Sequence, residues 1–211
     1  MDAVDIGECP GGHMYVQIIE GKTSDPGAME TLLDRWIDEL RPGAAGFLGT
    51  TAGVTDDGRA IAVVRFESEA AAVANSERSE QGAWWSEMEK CYVGDVTFTG
   101  SDDVDTMWDG GSDDAGFVQV MKSANVDRSV LAGLDEAFES VAPTYRPEIL
   151  GGVRIWADNG SVYDLTYFTS EAEAREGESK EPPPEIADLL DDFQSIMAAT
   201  EFFDLRDPWL L

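Results

Sequence analysis

Val64-Arg65-Phe66-Glu67-Ser68-Glu69-Ala70-Ala71-Ala72 returns 102 residues later as Thr166-Tyr167-Phe168-Thr169-Ser170-Glu171-Ala172-Glu173-Ala174. Both copies read alike: an apolar strand ends at a phenylalanine, a serine offers an N-cap, and an acid with alanines opens a helix. Extended outward at the same spacing, the match runs without a gap from Tyr15 to Ala74. It takes in Val16-Gln17/Val118-Gln119, Asp25/Asp127, Leu32/Leu134, Leu48-Gly49/Leu150-Gly151 and Asp56-x-Gly58/Asp158-x-Gly160, for 13 identities in 60 positions. Unrelated chains of this composition give about 4, at roughly one match per fifteen positions. A period this long is a whole domain rather than a solenoid unit.

Local patterns give each copy the order βαββαβ. In the first, a strand over Met14–Glu20 precedes Asp25-Pro26, an N-cap with proline at the first helical position. Met29, Leu32, Leu33, Trp36, Ile37 and Leu40 then make one apolar helical face. Strands over Phe47–Val54 and Arg59–Glu67 flank the hairpin turn Thr55-Asp56-Asp57-Gly58. Ser68 caps a second helix, interrupted near Asn75–Gln81 and resuming through Trp84, Trp85, Met88 and Tyr92; a strand over Asp95–Thr99 closes the unit.

The second copy repeats this with strands over Gly116–Lys122, Leu150–Trp156 and Ser161–Thr169. Leu131, Leu134, Phe138 and Val141 mark its first helix, and Ser170 with Glu173 reads as a capping box. Pro182-Pro183-Pro184 breaks its second helix, which resumes through Ile186, Leu189, Leu190, Phe193, Ile196 and Met197. Its last strand, near Glu201–Leu205, is expected at an offset of about 106. The expected organisation is a tail (1–13), a first unit (14–100), an acidic Gly/Ser linker (101–115), a second unit (116–207) and a tail (208–211).

Composition narrows the partners. Forty-three acids against 14 bases give a net charge of −29, with only four lysines. Such a field repels phosphate backbones and anionic lipid, so neither nucleic acid nor membrane is expected as a partner. A solvated acidic surface or a docking face for a basic protein would each account for it. No apolar run reaches membrane-spanning length. Residues 1–12 lack a basic and apolar leader, and Cys9 and Cys91 form no CxxC. Both point to a cytoplasmic protein with reduced thiols.

The fold class follows from the sheets. A βαββαβ unit is an α+β, ferredoxin-like layer: a four-stranded antiparallel sheet with both helices on one face. Ile61, Val63 and Arg65 alternate with Ala60, Ala62, Val64 and Phe66. Tyr163, Leu165 and Tyr167 alternate with Val162, Asp164, Thr166 and Phe168. Both faces therefore carry apolar side chains and need cover. The expectation is two tandem units whose bare sheet faces pack into one intrachain barrel with helices outside. The chain would then be a monomer (an internal pseudo-dimer) or a weak homodimer.

With Val64–Ala72 followed by a helix carrying Trp84-Trp85, the chain resembles the dimeric α/β-barrel superfamily. The likeness is to antibiotic-biosynthesis-monooxygenase-like domains in tandem single-chain form. That resemblance implies a cytoplasmic protein that binds, or oxidises without a cofactor, a small aromatic or apolar molecule. The alternative is a non-catalytic structural or regulatory binding protein. In oxygenase and haem-degrading relatives an asparagine on the first strand contacts substrate or oxygen, and Gln17 resembles that site with a different residue. A tryptophan in the second helix packs on substrate there, which makes Trp84 and Trp85 the other candidates for catalysis and ligand binding. Haem-binding relatives take an axial histidine from a second helix; none stands in either second helix here, so no cofactor is expected.

Each candidate also has a packing role open to it. Gln17 and Gln119 suit a hydrogen bond between sheet and helix, the tryptophans suit a core, and Trp156, Tyr163 and Tyr167 suit a filled sheet interface. Arg65 suits a partner among the many carboxylates or an anionic ligand. His13 is the sole histidine, and Cys9-x-x-x-His13 is too small a set for zinc, so no metal is expected. The divergence of Trp84-Trp85 from Ile186-Ala187 places the expected pocket in the first unit.

Overall fold

The computed structural model describes residues 14–108, 110–124, 126–187, 189 and 198–211. Cys9 and His13 lie outside the described residues, as do Leu190, Phe193, Ile196 and Met197 of the expected last helix. The first unit runs β1 (Tyr15–Lys22), α1 (Pro26–Arg35), β2 (Phe47–Val54), β3 (Arg59–Phe66), α2 (Glu69–Ser76), α3 (Ser79–Met88) and β4 (Thr97–Ser101). β5 (Val104–Met107) follows. The second unit runs β6 (Phe117–Ala124), α4 (Arg128–Tyr145), β7 (Ile149–Trp156), β8 (Ser161–Phe168), α5 (Glu171–Glu178) and β9 (Glu201–Leu205), with β10 (Trp209–Leu210) after it.

The signals that start these helices act as read. Asp25 accepts from the Ala28 N–H at 3.0 Å with Pro26 at the first position, and Ser68 and Ser170 accept from the Ala71 and Glu173 N–H groups. The repeated Leu-Gly pairs have a structural cause. A β-bulge interrupts β2 between Phe47 and Gly49, and another interrupts β7 between Ile149 and Gly151. At both glycines a Cβ would collide, with the Arg65 guanidinium at 2.6 Å or the Gly110 carbonyl oxygen at 1.8 Å.

The sheet orders are β10-β2-β3-β1-β4 and β5-β7-β8-β6-β9. Each is a ferredoxin-like sheet with one strand added from beyond its own unit. β4 bends at Asp102-Asp103 and continues as β5 on the edge of the second sheet. β9 bends at Arg206–Pro208 and continues as β10 on the edge of the first. The two sheets face each other, but they do not close into the single barrel expected from the sequence; they remain two separate five-stranded sheets. The exchanged strands take the β2 and β7 edges that closure would have used, and bent strands make the corners. Segment 101–115 therefore carries a strand, and so does 208–211. The last strand sits at an offset of 104 rather than 106: Gln17 pairs with Gly100, and Gln119 with Asp204.

Between the sheets lies the main core. Val16, Ile18, Ile61 and Val63 meet Val118, Val120, Ile155, Tyr163, Leu165, Phe203 and Leu205, all buried. Each such aliphatic contributes about 1.5–3 kcal/mol relative to exposure, so neither face is tolerable uncovered. Residues 102 apart meet on this interface. Lys122 Nζ donates to both Glu20 carboxylate oxygens at 2.9 Å, and the Tyr163 hydroxyl donates to Glu20 at 2.5 Å. Arg65 lies 3.5 Å from the Tyr167 hydroxyl, which also bonds Thr51 at 2.6 Å. In a symmetric dimer a residue at the axis meets its own copy; the duplicated chain sets Glu20 against Lys122 instead.

Lys122→Glu should therefore place two carboxylates together in a half-buried site and cost about 3 kcal/mol. The swap Glu20→Lys with Lys122→Glu should recover most of it. Urea denaturation of the three proteins checks this.

Candidate functional site

On its other face, the first sheet and its helices border a partly open cavity of about 320 Å³. The floor is Gln17 and Ile19 of β1, Ala52 of β2, and Ala60, Ala62, Val64 and Phe66 of β3. The three alanines leave room there, because a methyl group fills little of the gap between sheet and helices. Trp36, Trp84, Trp85 and Met88 form the roof, with Tyr92, Phe98 and Trp209 at the margins.

The roof is fixed by indole hydrogen bonds. Trp84, buried, donates from Nε1 to the Leu32 carbonyl at 2.7 Å, tying α3 to α1. Trp36 donates to Gln81 Oε1 at 2.8 Å. It opens a π-helical turn, Trp36–Leu40, in which the Arg41 N–H bonds the Trp36 carbonyl; such turns recur at functional sites. Arg78 holds the end of that turn, donating to the Leu40 carbonyl at 3.1 Å and to Asn75 Oδ1 at 2.9 Å. Trp85 is half-buried, edge-on to Phe98 at 5.2 Å and near Tyr92 at 6.1 Å. Neighbours on one helix, the two tryptophans point differently, one into the α1 interface and the other toward the cavity margin.

Gln17, Trp84 and Trp85 are thus brought to one cavity. Arg65 is not. It points into the sheet interface, its guanidinium between Gly49 and Gly111. Among the described residues no carboxylate pairs with it, so the ion pair considered for it is not formed there; its guanidinium meets the Tyr167 hydroxyl at 3.5 Å instead. Trp156 also departs from the expected interface role: its Nε1 donates to Asp105 at 2.7 Å.

The two units do not hold the same site. The second has a cleft of about 940 Å³ at the matching place, so a cavity is not confined to the first unit as expected; the linings differ. There Arg154 donates to Asp164 at 2.5 Å and to Asp135, while Gln119 donates to Asp204 at 2.8 Å and Arg175 pairs with Asp204. The matching first-unit residues are Ala52 for Arg154, Ala62 for Asp164, Leu33 for Asp135, Gly100 for Asp204 and Val73 for Arg175. The Gln119 amide is thereby engaged by a carboxylate. Gln17 faces glycine at that position, and its amide has no hydrogen-bond partner among the described residues.

None of the described side chains lining the first cavity is that of an acid, histidine, lysine, arginine or cysteine. Its polar groups are neutral: Gln17, Thr50, Asn75, Ser76, Gln81 and Tyr92. Burial pushes the Tyr92 phenol up to about 12, so it stays a donor at any ordinary pH. Sequence reasoning missed Trp36, Asn75, Gln81 and Trp209 as lining residues. Pairing the copies at 102 would have shown alanine and leucine standing opposite charge in three places, which is the signal of two different sites. Among the described residues no group of three or more acids, histidines or cysteines is arranged to hold a metal, and no helix is long and apolar enough to cross a membrane.

The chain matches no family model and no curated protein in sequence. Its fold is shared along nearly the full length with three solved structures. A candidate monooxygenase from Lactobacillus acidophilus NCFM superposes with a TM-score of 0.66 at 11% identity, covering 94% of this chain and 99% of its own. A candidate monooxygenase from Fusobacterium nucleatum gives 0.69 at 9%, covering 95% of each chain. An anthrone oxidase-like protein gives 0.66 at 10%, covering 95% and 92%. The tandem ferredoxin-like fold expected from the sequence is therefore the fold of this chain, shared with these structures.

Two outcomes follow from the roof. Trp84→Ala should cost about 3–5 kcal/mol, whereas the half-buried Trp85→Ala should cost less than about 2 kcal/mol; thermal melts of both separate packing from lining. Because the folded protein favours the neutral Tyr92 phenol, its contribution to stability is complete below pH 10 and lost as pH rises toward 12. Tyr92→Phe should flatten stability against pH across that window, read by denaturation at pH 9 to 12.

Proposed function

We propose that this chain binds a small, neutral, aromatic molecule in the first-unit cavity, one ligand to a chain. The observation that carries the reading is the contrast between the units: at the same place on the same fold, one presents an uncharged aromatic box and the other is crossed by ion pairs. Burying a ligand charge without a partner costs several kcal/mol, and the surrounding charge of −29 repels anions as well. An uncharged ring system with one hydroxyl or carbonyl suits the space. The rings lie against the tryptophans, and Gln17 makes the single directed hydrogen bond.

We further propose that any reaction here is cofactor-free oxidation of an electron-rich aromatic by dioxygen, the substrate supplying all four electrons as a ring CH2 becomes C=O and the second oxygen atom leaves as water, in line with the fold shared with candidate monooxygenases. The lining supports it by exclusion of water and by Gln17 as donor to a developing oxyanion. It offers no side chain that takes up a proton near neutral pH. That absence favours the binding role as the primary one.

A thermal-shift panel tests the reading. At 100 times its Kd a ligand stabilises by about 2.7 kcal/mol, or roughly 5–10 °C in a chain of this size. We expect 1-naphthol to raise Tm and 1-naphthoate not to. Ala52→Arg with Ala62→Asp, which transplants the second unit's ion pair, should abolish the shift in a folded protein. Equal shifts from both compounds, or a shift that survives the transplant, would contradict the proposal.

A further inference from the structure

The first-unit cavity is not completed by the first unit. Trp209 and Leu211 line it, and both arrive on the strand that leaves β9 of the second unit. Arg206 fixes the start of this crossing by ion pairs to Glu171 of the second unit, at 2.7 Å, and to Asp56 of the first. Its far end pairs with the β2 edge: the Thr50 N–H donates to the Leu211 carbonyl at 2.9 Å, and the Leu211 N–H to the Thr50 carbonyl at 3.0 Å. Strand alternation then sorts the side chains. Leu210 packs on the core between the sheets, and Trp209 packs with the cavity cluster.

What stands opposite Trp209 gives it meaning. Its ladder partner is Ala52. In the second sheet the matching exchanged strand, β5, sets Asp105 opposite Arg154. Each crossing strand thus carries the residue that suits the site it enters: an acid beside the arginine of the charged cleft, an indole over the alanine of the apolar one. Trp209 fills the width that Ala52 leaves and forms the wall at the sheet edge.

We propose that Trp209 is a specificity-determining residue of the first-unit site, supplied by the second unit, whose indole limits the number of fused rings the cavity admits. This rests on the reading of that cavity as a ligand site. Leu210, on the same strand but facing the other core, has no part in the limit.

The test measures Kd by fluorescence for 1-naphthol and 1-hydroxypyrene with the full chain and three variants. Trp209→Ala should shift the ratio of the two constants at least tenfold in favour of the four-ring probe. Trp209→Phe should shift it less, in the same direction, and decides the matter should the alanine variant not fold. Leu210→Ala should leave the ratio within twofold. If wild type binds both probes and neither Trp209 variant moves the ratio, or Leu210→Ala moves it as far, the role of Trp209 is refuted while the ligand site stands. If wild type binds neither probe, the ligand site itself is refuted, and the role of Trp209 with it.

Discussion

The burial of one sheet's bare face against the other is the constraint from which the rest of this structure follows. Val16, Ile18, Ile61 and Val63 belong to a sheet whose second face already packs on helices. The same holds for Val120, Tyr163 and Leu165 in the second unit. A sheet apolar on both sides cannot be left half in water. Joining two such units by a short connection brings the second face to the first at high effective concentration. The bent strands β4–β5 and β9–β10 then extend each sheet with a strand from the other, so that each unit also covers an edge of its neighbour.

Duplication freed the two halves from symmetry, and charge shows where that freedom was used. Across the interface it set Glu20 against Lys122 and Arg65 beside Tyr167, pairings no symmetric dimer makes at its axis. Beneath the helices Arg154, Asp164 and Asp135 stand in the second unit where the first has two alanines and a leucine. A buried ion pair stabilises little beyond an apolar filling and often less, so its presence in one unit does not mark that unit as the more stable. It marks a cleft whose polar groups are already paired with one another. The first unit keeps Gln17 unengaged under a roof of tryptophans.

Elements with local signals were legible in the sequence. The Asp25-Pro26, Ser68 and Ser170 caps, the Asp-x-Gly turns and the alternation in β3 and β8 each depend on neighbours within a few residues, and each acts where it was read. β5 and β10 were not legible. Val104–Met107 and Trp209–Leu210 are too short to show alternation, and they are strands only because a distant edge, β7 or β2, offers them hydrogen-bonding partners. The barrel was expected to close for the same reason: which strand occupies an edge is a tertiary fact. The pairing of Gln17 with Gly100, which leaves its amide free, depended on an offset that the proline-rich segment obscured.

By itself the sequence determined that this is a tandem of βαββαβ units, that each sheet has two faces to cover, and that Trp84-Trp85 distinguishes the first unit. Periodicity, capping and internal repetition are properties of the chain read in order, and they need no folded context. The tertiary structure alone decided which residues share a cavity. Trp36, the α3 pair Gln81 and Trp84, and Trp209 come from three separate stretches, and they meet because helix packing and strand exchange bring them there. It decided, too, that Gln17 and Gln119, equivalent in sequence, differ in chemistry. A hydrogen bond to Asp204 occupies one, and the lack of any side chain on Gly100 leaves the other open. Such a difference lies in the partner across the ladder, and the ladder exists only in the fold.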